Sequence, residues 1–366
     1  MKLVTALYDG KLSPARVERA LARSIHRDFR APQRKERPGC VRVACVQRRI
    51  KPAGSVNLWV ADMERFVRQA AESGAALVVF PEYNFFDMLG FVPGFAAANA
   101  LLRRKAMKRM GKPAQEKGVR PRPRVPERPA GFGAFFMAVA EPVERAVCQA
   151  MAALARSYGI TVYTGSYVMA GEGRLYNAGS VFSPEGKRAL TQKKLHLTDD
   201  EQAMGMARGD CLCVADLGFA RAAFPVCMDA TYFETFRIAR EQGADIVAVP
   251  ISNSEEYSLA ASLRGIWGRV QESYVYGLKA SQNGWVAGMH FTGIAGVFAP
   301  LELTAKGDGL LAGSPAPEGD SLAVAELDIG ALRRAREEAE YWGDVNPKFE
   351  ADYGKRAYAR VKGGVR

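Results

Sequence analysis

Histidine is scarce, with only His26, His196 and His290 in 366 residues. So few leave little for a zinc-type ligand set. The tight pair Cys211-Leu212-Cys213 has neither metal-ligand spacing nor a histidine beside it. No Gly-rich loop precedes a helix, so nothing supports a nucleotide cofactor. The expectation is therefore no cofactor and no metal. No apolar run approaches the roughly 20 residues that span a bilayer. The apolar patch at the start is too short for a secretory signal, so a cytoplasmic setting is expected. The six cysteines (Cys40, Cys45, Cys148, Cys211, Cys213, Cys227) form no dense framework in so long a chain and are expected to be reduced.

What is present is an ordinary core-building composition, 48% hydrophobic and 25% charged. The net charge of +12 is unevenly spread. Residues 102–128 carry +9 and residues 1–38 carry +6, which leaves the rest of the chain at −3. The excess thus sits in two segments outside the main body. A docking arm at 102–128 for nucleic acid or an anionic membrane is one reading of it; a solvated basic surface is the favoured one.

Residues 1–40 read as an N-terminal extension, with Ser13-Pro14 opening a helix to about Arg27 and an Arg/Pro/Lys-rich linker after it. The main domain spans 41–330. Residues 41–47 have strand composition. Apolar positions from Val56 to Ala71 recur at helical spacing, and Gly74 suits the residue just past the helix end. The continuous apolar run 75–80 fits a strand covered on both faces, ended by Pro81-Glu82. A long irregular region from about 84 to 141 follows, with a basic insertion at 97–130 whose Pro/Arg tract occupies 112–129. Residues 143–154 read as a helix, 160–165 as a strand, and 175–182 and 189–197 as a hairpin joined by Ser183-Pro184-Glu185-Gly186. The segment 241–250 repeats 72–81 at five of ten positions, a helix–strand unit used twice, which suggests pseudo-two-fold symmetry. Residues 259–278 read as a further helix and 284–288, 296–300 and 321–328 as strands. The tail, 331–366, reads as charged and mostly helical.

Three ionisable groups stand at strand ends: Glu82, Lys194 and Cys227. Strand ends are where ligands collect in α/β sheets. Cys227 lies between an apolar run and a helical segment, where unpaired N–H groups favour a thiolate. Together the three suit attack on an amide-type C–N bond: a thiol nucleophile, a carboxylate that moves its proton, and an ammonium for the oxyanion. Glu201 can orient the lysine or the substrate. Each has a plainer reading: a core thiol, a strand-end acid, a solvated lysine beside Lys193, a helix cap after Thr198. His196 offers a rival Cys–His pair, although a structural hydrogen bond is the expected use of that ring. Tyr83, Met228, Asn253 and the 84–140 region are the expected pocket lining.

These motifs resemble the nitrilase superfamily of carbon–nitrogen hydrolases. Residues 77–82 look like its glutamate motif, 194–197 its lysine motif, and Cys227-Met228-Asp229 with Glu234 its nucleophile motif. Glu201, seven after Lys194, sits where many members place an auxiliary glutamate. The resemblance runs from about 41 to 336 and implies a four-layer α-β-β-α sandwich. It also implies a homodimer or higher homo-oligomer, and Glu82, Lys194 and Cys227 as the catalytic set. Departures at Lys193 and at Thr231-Tyr232-Phe233 touch the pocket rim and leave the substrate open. The expected activity is cleavage of a small amide or N-carbamoyl compound through a Cys227 thioester. The alternatives are a nitrilase or a catalytically idle scaffold.

Overall fold

The computed structural model describes residues 1–32, 37–110, 131–259, 263–339 and 346–354. Strand β1 (Cys40–Arg49) lies at the centre of one sheet. It pairs in parallel with β2 (Leu77–Val79) on one side and with β10 (Tyr276–Val286) on the other. β3 (Thr161–Tyr163) follows β2, while β9 (Ile246–Ser252) and then β8 (Arg221–Ala223) follow β10, all parallel. Antiparallel strands extend both flanks. β5 (Arg174–Phe182) carries β4 (Tyr167–Gly171) and β6 (Arg188–Lys193), and β7 (Val214–Asp216) pairs with β8. β14 (Ser321–Asp328) runs antiparallel along β1. The repeated segment therefore supplies β2 and β9, placed symmetrically about the β1–β10 pair, as the sequence repeat suggested.

The sheet curls so that its halves face each other. Tyr163 of β3 stacks edge-on against Phe224 just after β8, and its hydroxyl donates to the Phe224 carbonyl at 3.0 Å. Alternation along the strands produces the layers. Leu77, Val79, Ile246 and Ala248 enter the core between the halves. Val78 and Phe80 turn outward to α3 (Val56–Glu72) and α5 (Phe132–Tyr158). Val247 and Val249 turn outward to α7 (Phe233–Glu241) and α8 (Gly268–Ser273). This is the helix–sheet–sheet–helix order that the family resemblance implied.

Three segments differ from the sequence reading. The N-terminal residues form two helices, α1 (Lys2–Lys11) and α2 (Pro14–Ser24), and these pack on the domain. Tyr8, Leu12, Val17 and Leu21 are buried in the α3–α5 core, worth about 1.5–3 kcal/mol for each large side chain. The described parts of the 84–141 region are largely helical: a 3-10 turn at Phe86–Phe91, α4 (Phe95–Met110), and α5, which begins at Phe132 and tolerates Pro142 inside it. The helix expected through 278 stops at Ser273, and Tyr276 to Leu278 open the central strand β10. A strand buried on both faces has no polar alternation to mark it, so a short apolar run is ambiguous. The Pro/Arg tract at 112–129, most of the basic 102–128 segment, and residues 340–345 and 355–366 of the tail lie outside the described residues. Among the described residues no helix is long and apolar enough to cross a membrane.

Candidate active site

Glu82 is delivered by the end of β2. Phe80 N–H still donates to Tyr163 at 3.1 Å, and then Pro81, which has no N–H, ends the ladder. The Pro81 carbonyl accepts from Ser166 at 3.2 Å. A Cβ at Gly165 would lie 1.9 Å from that oxygen, and Gly165 has φ +68, so only glycine lets the two backbones meet. Tyr83 follows in the left-handed region (φ 51), a conformation that costs a non-glycine residue about 1–3 kcal/mol. Its N–H donates to Ser166 Oγ at 3.0 Å. Next to it, Asn84 accepts from the fully buried Arg48 at 3.2 Å, and Arg48 also pairs with Asp62 and Asp87. The Glu82 turn is thus pinned on both sides.

Lys194 follows β6 directly. Its N–H donates to Asn177 on β5 at 2.8 Å. Its Nζ, 1% exposed, lies 2.8 Å from Glu82 and 2.9 Å from Glu201. Glu201 also caps a short helix, α6 (Asp199–Ala203): its Oε2 accepts from Thr198 N–H at 2.8 Å while Thr198 Oγ1 accepts from Glu201 N–H at 3.3 Å. The capping reading and the site reading are therefore both satisfied: Oε2 serves the cap, and both carboxylate oxygens meet Lys194. Glu201 Oε1 accepts from Tyr83 OH at 2.6 Å and from Asn177 Nδ2 at 2.9 Å, and the same Nδ2 reaches Glu82 at 2.9 Å.

Cys227 begins a five-residue 3-10 turn (Cys227–Thr231) between β8 and α7, again in the left-handed region (φ 44). Two non-glycine residues with positive φ thus flank one site, a pattern that points to function. Asp229, fully buried, ties the nucleophile turn to the lysine loop. It accepts from Val226 N–H at 2.8 Å, Leu195 N–H at 3.1 Å and His196 N–H at 2.6 Å. His196 Nδ1 also meets Asp229 at 3.0 Å and its ring stacks on Tyr232, so this histidine braces Asp229, in line with the structural role expected for it. Glu82 Oε2 accepts the Ser252 N–H at 3.1 Å, and the Cys227 thiol faces the same carboxylate across the cleft.

The electrostatics follow from burial first. Burial raises the Lys194, Glu82 and Glu201 balance against charge, and ion pairing then sorts them. Burial disfavours the Lys194 ammonium, but Glu82 and Glu201 outweigh it and hold its pKa above the ordinary lysine range. Burial and the Glu201 charge leave Glu82 above the carboxylate range despite Lys194. In Glu201, Lys194 and the Tyr83 hydroxyl overcome burial and set its pKa below the usual value. Burial and then the Glu82 charge hold the Cys227 thiol well above its ordinary value, with Lys194 opposing. The thiolate anticipated from a helix N-terminus is thus corrected. The turn is a short 3-10 piece and the nearest charge is an acid, so the resting sulfur is a thiol.

Glu82, Lys194, Glu201 and Cys227 face one open cleft of about 2040 Å³, and Tyr83, Met228 and Asn253 line it too. Phe86, Phe132 and Phe136 supply an aromatic wall from the 84–140 region. Asn253 Oδ1 is engaged by the Glu255 N–H at 3.2 Å. Three cleft-associated residues went unread in the sequence: Asn177, Asp229 as a clamp, and Lys279, a lysine of β10. The last had a signal, a solitary cation in the otherwise apolar stretch 275–280. Among the described residues no group of three or more His, Cys, Asp or Glu is placed to hold a metal ion.

Comparison with known proteins agrees with the fold. The profile of the carbon–nitrogen hydrolase family matches residues 42–337. A probable hydrolase, YhcX, of Bacillus subtilis (strain 168) is 27% identical over 189 residues, which cover 50% of this chain and 36% of that protein. This chain thus matches about a third of the length of that relative. An (R)-stereoselective amidase of Pseudomonas sp. is 27% identical over 218 residues, 59% of this chain and 75% of that protein. Among solved structures, a double mutant of the amidase from Nesterenkonia sp. AN1 in complex with acrylamide superposes with a TM-score of 0.57 at 20% identity, covering 83% of this chain and 97% of that one.

Proposed function

The chain belongs to the carbon–nitrogen hydrolase family, and from that premise we propose that it cleaves a small amide or N-carbamoyl compound through a Cys227 thioester. The observation that carries this reading is the single cluster in which Lys194 Nζ stands 2.8 Å from Glu82 while Cys227 faces the same carboxylate in one cleft. Cys227 Sγ attacks the carbonyl carbon as Glu82 takes the thiol proton. Lys194, joined by the Met228 N–H, holds the oxyanion. The C–N bond breaks as Glu82 returns the proton to the departing nitrogen. Water then attacks the thioester, giving its proton to Glu82. The C–S bond breaks, the acid leaves, and the proton goes back to sulfur.

The resting thiol fits this order. A protonated nucleophile needs a base in contact with it, and Glu82 is that contact. Glu201 holds Lys194 charged without touching the reacting atoms. Tyr83, Met228 and Asn253 are the proposed substrate contacts. A homodimer or larger homo-oligomer belongs to the same reading, supported by the apolar side chains exposed before and on α7: Tyr232 (39%), Phe233 (53%) and Ile238 (47%).

The test is ammonia release by the purified protein from amides against the matching nitriles, with mass spectrometry of the quenched enzyme for an acyl adduct on Cys227. Release from amides with an adduct on that cysteine is the expected result. Ammonia from nitriles alone would replace amidase by nitrilase.

A further inference from the structure

Lys279 is the second lysine of the cleft, and the proposed reaction does not use it. On β10, Leu278 and Ala280 enter the core between the sheet halves. Lys279 and Ser281 alternate to the other face, which opens on the cleft beside Cys227. The side chain is only 7% exposed. Among the described residues its ammonium makes no hydrogen bond or ion pair, and no carboxylate favours its charge. Glu82 and Glu201 are taken up by Lys194, and the cleft's Glu255 and Glu256 stand exposed at the rim.

Two hydroxyls share this condition. Among the described residues, Ser281 Oγ and Ser252 Oγ are buried without a hydrogen-bond partner, and both residues line the cleft. A Cβ at Gly293 would fall 2.4 Å from Ser281 Oγ, so glycine there keeps the hydroxyl's space open. Buried polar groups normally have partners, and a buried cation without one is costly. Burial with no acid alongside pulls the Lys279 pKa down to about 8. One ammonium and two neutral hydroxyl donors match a group with one negative charge and several acceptor oxygens.

We propose that Lys279, Ser281 and Ser252 form an anion subsite next to Cys227, and that the substrate carries a carboxylate a few bonds from the carbonyl that Cys227 attacks. This narrows the substrate class and rests on the amidase reading. The bound carboxylate supplies the counter-ion that the protein withholds. A neutral amide leaves the three groups unpaired, which is how a polar site rejects an analogue lacking the polar group.

Two measurements separate this subsite from the reaction itself. In the first, ammonia release is followed for succinamate and for its neutral isostere 4-methylpentanamide. The kcat/KM ratio of the two is expected to favour succinamate and to fall between about ten- and a hundredfold in Lys279→Met, mainly through KM. Lys279→Arg is expected to retain part of the preference. An unchanged ratio in Lys279→Met, or a wild-type ratio near one, overturns the subsite while leaving the amidase reading standing.

The second measurement needs no turnover. Succinate is expected to slow alkylation of Cys227 by iodoacetamide in the wild type, and to lose that protection about tenfold or more in Lys279→Met. Protection that depends on Lys279 in a protein that hydrolyses no amide would keep the anion subsite and remove the amidase reading. Equal protection in both proteins overturns the subsite.

Discussion

Two lysines are buried against one cleft, and they differ in the company they keep. Lys194 stands between Glu82 and Glu201, 2.8 and 2.9 Å away, and its charge is held firmly in place. Lys279, on a central strand, has no acid beside it among the described residues, and its pKa falls to about 8 through burial. The same residue type at similar burial thus gives a fixed cation in one place and an unsatisfied one in the other. The difference lies wholly in the partners, and it assigns the two lysines different work. The first is complete before substrate arrives. The second is completed by it.

The strongest way to break the comparison is to remove the satisfied lysine. Lys194→Met leaves Glu82 and Glu201, both nearly fully buried, sharing one Asn177 amide with no cation between them. Removing one partner of a buried pair costs about 3–5 kcal/mol. Turnover is expected to fall by more than roughly a hundredfold, the scale of losing an oxyanion donor. Denaturant titration and steady-state ammonia release measure the two effects. Lys194→Arg, which keeps the charge, separates a folding loss from a catalytic one. A rate near wild type in a folded Lys194→Met would remove this residue from the reaction.

Removing the unsatisfied lysine has the opposite sign. The Lys279 pKa is about 8 in the fold against an ordinary lysine value of 10.5, so keeping it charged costs on the order of 3 kcal/mol near neutral pH. The unfolded chain binds the extra proton between those two values. The cost is therefore fully present below about pH 8 and is relieved as pH rises toward the unfolded value. Lys279→Met is expected to be more stable than wild type at pH 7, with the gap narrowing by pH 10. Cys227, Lys194 and Tyr83, which face the same cleft, are all held above their ordinary values, so Lys279 is the group in that cleft brought down into this window. Denaturation midpoints of both proteins at the two pH values give the result. A gap that does not change with pH would mean that Lys279 finds a counter-charge in the free protein.

The contrast also explains what the sequence could tell. Glu82, Lys194 and Cys227 each close an apolar run, and a charge at the end of such a run stands out in the chain. Glu201 was reachable through its spacing from Lys194. Lys279 was hidden because the helix read at 259–278 ran to its doorstep, while the structure starts β10 at Tyr276. A centrally placed strand lacks the polar alternation that would have corrected that reading. The state of the sulfur was misjudged for a different reason. Helix-end arguments are local, whereas the Cys227 thiol is governed by Glu82, a residue far away in the chain. Asp229 was visible only as part of a motif, because its partners at 195, 196 and 226 become neighbours through folding.

Asp229 sharpens the comparison at an intermediate scale. Lys279 is positioned by a strand, but Lys194 begins a loop that needs an external brace. Asp229→Asn places an amide against three backbone N–H donors, where only one oxygen can accept. A loss of about 2–3 kcal/mol in stability is expected from the charge-assisted bonds given up. Turnover should fall roughly tenfold through misplacement of Lys194, with little change in KM. Kinetics and denaturant titration test it. A fall confined to KM would mean that Asp229 shapes the substrate pocket and not the lysine.

The smallest expected effect probes how completely Lys194 is satisfied. Tyr83 OH donates to Glu201 at 2.6 Å, and this bond helps Lys194 hold the Glu201 pKa below the carboxylate range against burial. Tyr83→Phe keeps the ring that stacks on Phe86 at 4.8 Å and removes only the donor. Glu201 should then take up a proton at higher pH, because one of the groups favouring its charged form is gone. Its negative charge, and with it part of the field on Lys194, is lost earlier as pH falls. The acid limb of the kcat/KM profile is therefore expected to move upward, with a severalfold loss below it and a small change near pH 8. An acid limb that stays in place would mean that Lys194, with the Thr198 N–H and the Asn177 amide, fixes the charge of Glu201 without help from the phenol.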